Sequence, residues 1–246
     1  MKHSPLLIRM ALALVFWVPV IFLSLLLAHN ALLYFTHGGE YGILPEKTVA
    51  RQDLLWNIAF YIHLPTGVIC LLTPVFLFIE RYFKRRGGKV HSPRSTVHSK
   101  KQLGWHERIG KLYVWVTVLF VCPTGMYLAL YAKGGLVTQT GFMIQGILLM
   151  GFTWQGYQAI LRKDKTAHVQ FMIRSYAVAA VVLTFRICHI VFFFWSVPYK
   201  DNYAISQWLG LTVNLLVAEV IIALIGTRHK HTSSIQSHKP VSYEIH

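Results

Sequence analysis

Residues 171–197 read FMIRSYAVAAVVLTFRICHIVFFFWSV. As a helix rising 1.5 Å per residue, this run is long enough to cross a hydrocarbon core of about 30 Å. Its interior holds Arg174, Arg186 and His189. A charged side chain facing lipid costs several kcal/mol, so this face must turn towards other helices. The run therefore predicts one helix of a membrane bundle.

Five more apolar runs supply the neighbours: Leu6–Ala28, Leu54–Ile79, Ile109–Ala132, Val137–Leu161 and Tyr203–Ile225. The predicted fold class is all-α, a polytopic bundle of six transmembrane helices. Of the 246 residues 54% are hydrophobic and 13% charged, whereas an average soluble domain is about a quarter charged. One transmembrane domain is expected over 1–226, with a basic loop at 80–108. A polar tail at 227–246, rich in His, Ser and Lys, is expected to be disordered. The first run is too long for a signal-peptide core and no A-x-A site follows it, so it reads as a retained helix. Pro65, Pro74 and Pro123 predict bends in the second and third helices.

The formal charge is +15, and its placement decides its meaning. Arg81, Lys84, Arg85, Arg86, Lys89, Arg94, Lys100, Lys101 and Arg108 crowd between the second and third runs. Arg162, Lys163 and Lys165 follow the fourth run, and Arg228, Lys230 and Lys239 follow the sixth. The alternate connections hold only Lys47, Arg51, Lys133 and Lys200. This alternation predicts both termini on the cytoplasmic side, with the basic segments near anionic lipid headgroups. It argues against nucleic acid as a partner. Trp56, Trp195 and Trp208 then fall at the outer interface and Trp105 at the inner one. Cys70, Cys122 and Cys188 all lie in apolar runs, with neither disulfide nor zinc spacing.

Ionisable residues inside a membrane are functional candidates. His63 lies about 15 Å below the start of the second helix, and His189 about 12 Å from the outer end of the fifth. His106 and His168 stand at the cytoplasmic entrances of two other helices. Two depth-matched histidine pairs suit bis-histidine ligation of haem b, one haem or two, with an electron-transfer role. On this reading His63, His189, His106 and His168 are candidate iron ligands, and Arg174 and Arg186 candidate contacts for the propionates. Glu219 is the one carboxylate in a helix interior, and its depth makes Arg174 its partner, leaving Arg186 to an anion. Helical spacing puts His168, Ser175, Arg186 and His189 on one stripe. The alternative is a non-catalytic membrane protein, such as a respiratory-complex assembly factor or an ion or lipid handler. Its histidines would be structural, or would bind metal or protons. The H-E-x-x-H pattern, G-x-S-x-G and phosphate-binding loops are absent.

Several stretches resemble a bacterial family of predicted membrane proteins, domain of unknown function 2306. They are HLPTG at 63–67, WHERIGKLY at 105–113, TGMY at 124–127, the glycines Gly134 and Gly135, Gly141 with Phe142, HVQFMIRSY at 168–176, and Arg186. The resemblance spans about residues 60–190 and implies a multi-pass protein of a bacterial inner membrane, with no established activity. His63, His106 and His168 fall in these motifs, and His189 does not. Likeness to cytochromes of the b561 type is one of architecture only, inward histidines in a helical bundle.

The charge pattern makes a topology prediction. In a cysteine-free background, a single cysteine at Gly39 should react with an impermeant thiol reagent in intact cells. One at Ser99 should react only after permeabilisation. The reverse pattern would invert the topology.

Overall fold

Each apolar run folds as a helix, since inside lipid only a helix or a closed barrel satisfies its own backbone. A computed structural model describes residues 5–48, 50–87 and 96–237. Its helices are α1 (Pro5–Thr36), α2 (Leu54–Gly87), α3 (Thr96–Val116), α4 (Cys122–Ala129), α5 (Leu136–Leu161), α6 (Lys165–Ala179), α7 (Val181–Phe194) and α8 (Tyr199–Ser237). No strand occurs among the described residues. Six spans are long and apolar enough to cross a membrane: Trp17–Thr36, Leu54–Leu77, Gly104–Ala129, Leu136–Leu161, Lys165–Phe194 and Tyr199–Gly226.

The helices outrun the apolar segments. α2 continues to Gly87 and α3 begins at Thr96, so much of the expected 80–108 loop is helical. α8 likewise runs through to Ser237. Hydrophobicity marks the thickness of the membrane, whereas Lys, Arg and Glu are good helix formers that let a helix continue beyond it. The remaining parts of that loop and tail, 88–95 and 238–246, lie outside the described residues.

Two spans are irregular. In the third, the turn Thr117–Val121 is π-helical, and the Cys122 amide donates to the Thr117 carbonyl. Pro123 follows directly, and having no N–H it cannot continue the ordinary ladder. The fifth span breaks at Ala180 (φ −71°, ψ −5°), between α6 and α7. In an unbroken helix the carbonyls of Ala177 and Val178 would accept from residues 181 and 182. Here they accept from Asn214 Nδ2 of α8 (3.0 Å) and Gln145 Nε2 of α5 (3.1 Å). Thr184 Oγ1 donates to Asn214 Oδ1 (2.8 Å), and Gln207 Nε2 to Gln145 Oε1 (2.9 Å). Neighbouring helices thus re-satisfy the freed backbone.

α5 packs against α4, α6 and α8. Glycines permit the close approach: a Cβ at Gly146 would lie 2.5 Å from Met126 Cγ, and one at Gly156 2.8 Å from Met172 Sδ. A buried hydroxyl cluster joins α3, α5 and α6, with Ser175 Oγ 2.6 Å from Tyr113 Oη and 2.7 Å from Thr153 Oγ1. The described residues between 37 and 53 fold over one end of the bundle and form three short 3-10 turns: Gly38–Glu40, Leu44–Glu46 and Ala50–Gln52. This end is the rim. Leu44 there inserts among Tyr34, Trp56 and Phe60.

Trp56 corrects the sequence reading. It begins a span, at interfacial depth, but its ring is buried within the bundle and stacks on Phe60 at 5.0 Å. Trp195 and Trp105 are exposed, as an interfacial ring requires.

The break at Ala180 carries a stability prediction. Asn214→Leu leaves both the Ala177 carbonyl and the Thr184 hydroxyl unmatched, and should cost about 1–2 kcal/mol. Leu216→Ala, on the exposed face of the same helix, should cost less. Thermal unfolding in detergent measures both, and equal stabilities would remove the structural role given to Asn214.

Candidate functional site

Residues of α1, α2, α4, α5, α6, α7 and α8, with the π turn and the rim segment, line a cavity of about 490 Å³. That size lies within the usual range of about 300–1,000 Å³ for small-molecule sites. α2 packs on α1, α3 and α4, while α7 packs mainly on α8, so the cavity separates α2 from α7. Its walls are largely apolar and aromatic, including Phe60, Leu64, Phe142 and Phe185. Trp56 also lines it, and its buried indole N–H has no hydrogen-bond partner among the described residues.

His63 and His189 both line this cavity. His63 Nδ1 lies 3.0 Å from Thr124 Oγ1. Thr124 already donates its only hydroxyl proton to the Phe120 carbonyl at 2.5 Å, so towards His63 it accepts. The Val121 backbone is a further polar neighbour of this ring. Gly125 leaves the ring its space, for a Cβ there would lie 2.9 Å from His63 Cε1. The π turn before Pro123 brings these contacts to α2. His189 Nδ1 lies 2.8 Å from Asn202 Oδ1, an acceptor, and Asn202 Nδ2 donates back to the His189 carbonyl at 3.1 Å. Ser206 Oγ also donates to Asn202 Oδ1 at 3.0 Å, fixing the amide orientation. The imidazole stacks on Phe185 (5.7 Å, 4°) and meets Tyr203 edge-on at 4.7 Å. Each Nδ1 thus faces an oxygen that can accept, which favours the Nδ1–H tautomer and leaves Nε2 as the nitrogen free to ligate. Metal-ligating histidines commonly have their other ring N–H held by an oxygen in this way.

His63 lies about 14 Å along α2 from Leu54, and His189 about 8 Å from the end of α7, because α7 stops at Phe194. Arg186 is one turn further in than His189 and lines the same cavity. It makes no ion pair or hydrogen bond among the described residues. Arg174, by contrast, binds Glu219 through Nε–Oε1 (2.5 Å) and Nη2–Oε2 (2.8 Å), the pairing expected from depth. Its charge is matched within the protein.

The second histidine pair has a different setting. His106 on α3 lies 3.9 Å from the Glu80 carboxylate of α2, and His168 Nδ1 donates to the Gly156 carbonyl of α5 at 2.8 Å. Neither lines the cavity. The stripe read on the fifth span is divided by the break at Ala180. Ser175 joins the hydroxyl cluster, while Arg186 and His189 face the cavity.

Sequence reasoning missed several residues of the site. Lys47 and Lys133 were assigned only to topology, yet both line the cavity at the rim. Lys47 Nζ donates to the Tyr131 carbonyl, and burial pushes its pKa down from the usual lysine range. Lys133 pairs with Glu46 and lies 5.4 Å over the Tyr199 ring. Asp53 caps α2 through the Leu55 amide (2.9 Å) and accepts from Tyr127 Oη at 2.6 Å. That phenol hydrogen bond holds the Asp53 carboxyl below its ordinary pKa. The proximity of Asp53 to Leu55 was readable as an N-cap signal, whereas the tyrosine contact required the fold.

A family model described as "Predicted membrane protein (DUF2306)" matches residues 94–222, more than half of the chain. The chain belongs to that family. No curated protein and no solved structure matches it significantly. The DUF2306 match contains His106, His168, His189, Arg174 and Arg186, together with Gln145 and Asn214 that support the helix break. It begins after α2, so His63 and its HLPTG segment, read above as part of the resemblance, fall outside it, and His189 falls inside. As a membrane protein of six spans, this DUF2306 chain turns Phe22, Leu119, Phe193 and Leu216 outward to the lipid.

Proposed function

We propose that the cavity holds one b-type haem and that the protein carries electrons in a bacterial inner membrane. His63 and His189 would hold the iron. The observation that carries this reading is the matched state of the two imidazoles. Each has Nδ1–H tied to a fixed oxygen, and each lines the same cavity from a different helix. When bound, haem supplies a one-electron couple of the iron.

The residues present fit such a group. Thr124 and Asn202 hold the ring orientations, Gly125 keeps space beside His63, and the walls are largely apolar and aromatic. The lining contains no Asp or Glu among the described residues, so nothing there opposes an acidic ligand. His106 and His168 take structural roles, at Glu80 and at the Gly156 carbonyl. The cytoplasmic placement of the basic loops, and their contact with anionic headgroups, belong to the same proposal and rest on the charge asymmetry.

A second reading keeps the cavity without the iron: a handler of an anionic lipid. The unmatched charge of Arg186 favours it.

The visible spectrum of the detergent-purified protein separates the two. Reduced protein should show the sharp bands of low-spin haem b. His63→Ala and His189→Ala should each abolish them, and His106→Ala and His168→Ala should leave them intact. Absence of a Soret band after haem-supplemented expression and gentle solubilisation would reject the haem reading.

A further inference from the structure

Three cationic side chains line the cavity, Lys47, Lys133 and Arg186, and no carboxylate does among the described residues. Their partners differ. Lys133 is neutralised by Glu46. Lys47 has only the neutral Tyr131 carbonyl, and Arg186 has no hydrogen-bond or ion-pair partner among the described residues. Two positive charges therefore face the cavity without an anion.

They stand at different depths. Lys47 belongs to the rim segment, held over the bundle by the burial of Leu44 and Ala50 and by the Arg51 Nη1 bond to the Gly39 carbonyl (2.9 Å). Arg186 lies about 12 Å inward from the end of α7, exposed along a membrane span, where an unpaired charge is costly. The half-burial of Lys47 depresses its pKa, which an arriving anion would reverse. Both side chains can form charge-assisted bonds to carboxylate or phosphate oxygens.

We infer that the cavity recognises an apolar molecule bearing anionic oxygens, which Lys47 at the rim and Arg186 deeper in receive. This rests on the cavity being a ligand site, as proposed above, but not on iron or its ligation. Carboxylates of a porphyrin and the phosphate of a lipid headgroup share this chemistry.

Metal-free protoporphyrin IX and its uncharged dimethyl ester test it, because neither needs the imidazoles as iron ligands. Fluorescence titration of the purified full-length protein should show the diacid binding at least about tenfold tighter than the diester. Lys47→Gln and Arg186→Gln should each weaken the diacid towards the diester and leave the diester unchanged, whereas Lys47→Arg should retain the preference. A second arm uses mixed micelles of phosphatidylglycerol or phosphatidylcholine. If porphyrins do not bind but phosphatidylglycerol is preferred, and Lys47→Gln or Arg186→Gln removes that preference, the inference stands with a lipid as its source. Equal affinity for charged and uncharged partners in both arms overturns it, as do substitutions that weaken diacid and diester alike. The wild-type comparison decides even where a variant fails to fold. Failure of the haem reading is separately visible, as a missing low-spin spectrum with iron porphyrin while the preference for charge persists.

Discussion

Inside a bilayer no water is available to satisfy a polar group, so each one must be matched by another part of the chain. That constraint governs both irregular spans and, through them, the cavity. The break at Ala180 is tolerable because Gln145 and Asn214 take up the carbonyls it frees, and it sets the course of α7 with Arg186 and His189. The π turn before Pro123 similarly directs Thr124 and Gly125 at His63. Both walls of the site thus depend on a departure from regular helix, where π bulges and interrupted helices often coincide with function.

Charge is distributed with the same economy. Arg174 and Glu219 close on each other through two hydrogen bonds, and Lys133 meets Glu46. Charged side chains in or beside a membrane span ordinarily find a partner. Against that background Lys47 and Arg186 stand out, two cations beside an apolar cavity of about 490 Å³. The imidazoles add basic nitrogens with fixed orientation. The anion recognition and the metal ligation proposed for this space are separable.

Much of this was legible in the sequence, because hydrophobic run length maps directly onto membrane thickness. Six spans follow from it, and depth counting paired Arg174 with Glu219 and brought His63 and His189 to one region. The break at Ala180 was not legible. It falls in AVAAVV at 177–182, without proline or glycine, and is supported by neutral amides on distant helices. Trp56 looked interfacial because composition gives depth but not direction, and its ring turns inward. Lys47 looked like a topology residue because only the folded rim segment brings it over the cavity.

The claim on which the rest stands is the protonation pattern of two rings, and nitrogen-15 NMR of histidine-labelled, ligand-free protein near neutral pH reads it directly. With His63 and His189 assigned by single replacement, both should show a protonated Nδ1 and an unprotonated Nε2. A protonated Nε2 on either ring would contradict the account, since that ring would then face the cavity as a donor rather than as a ligand.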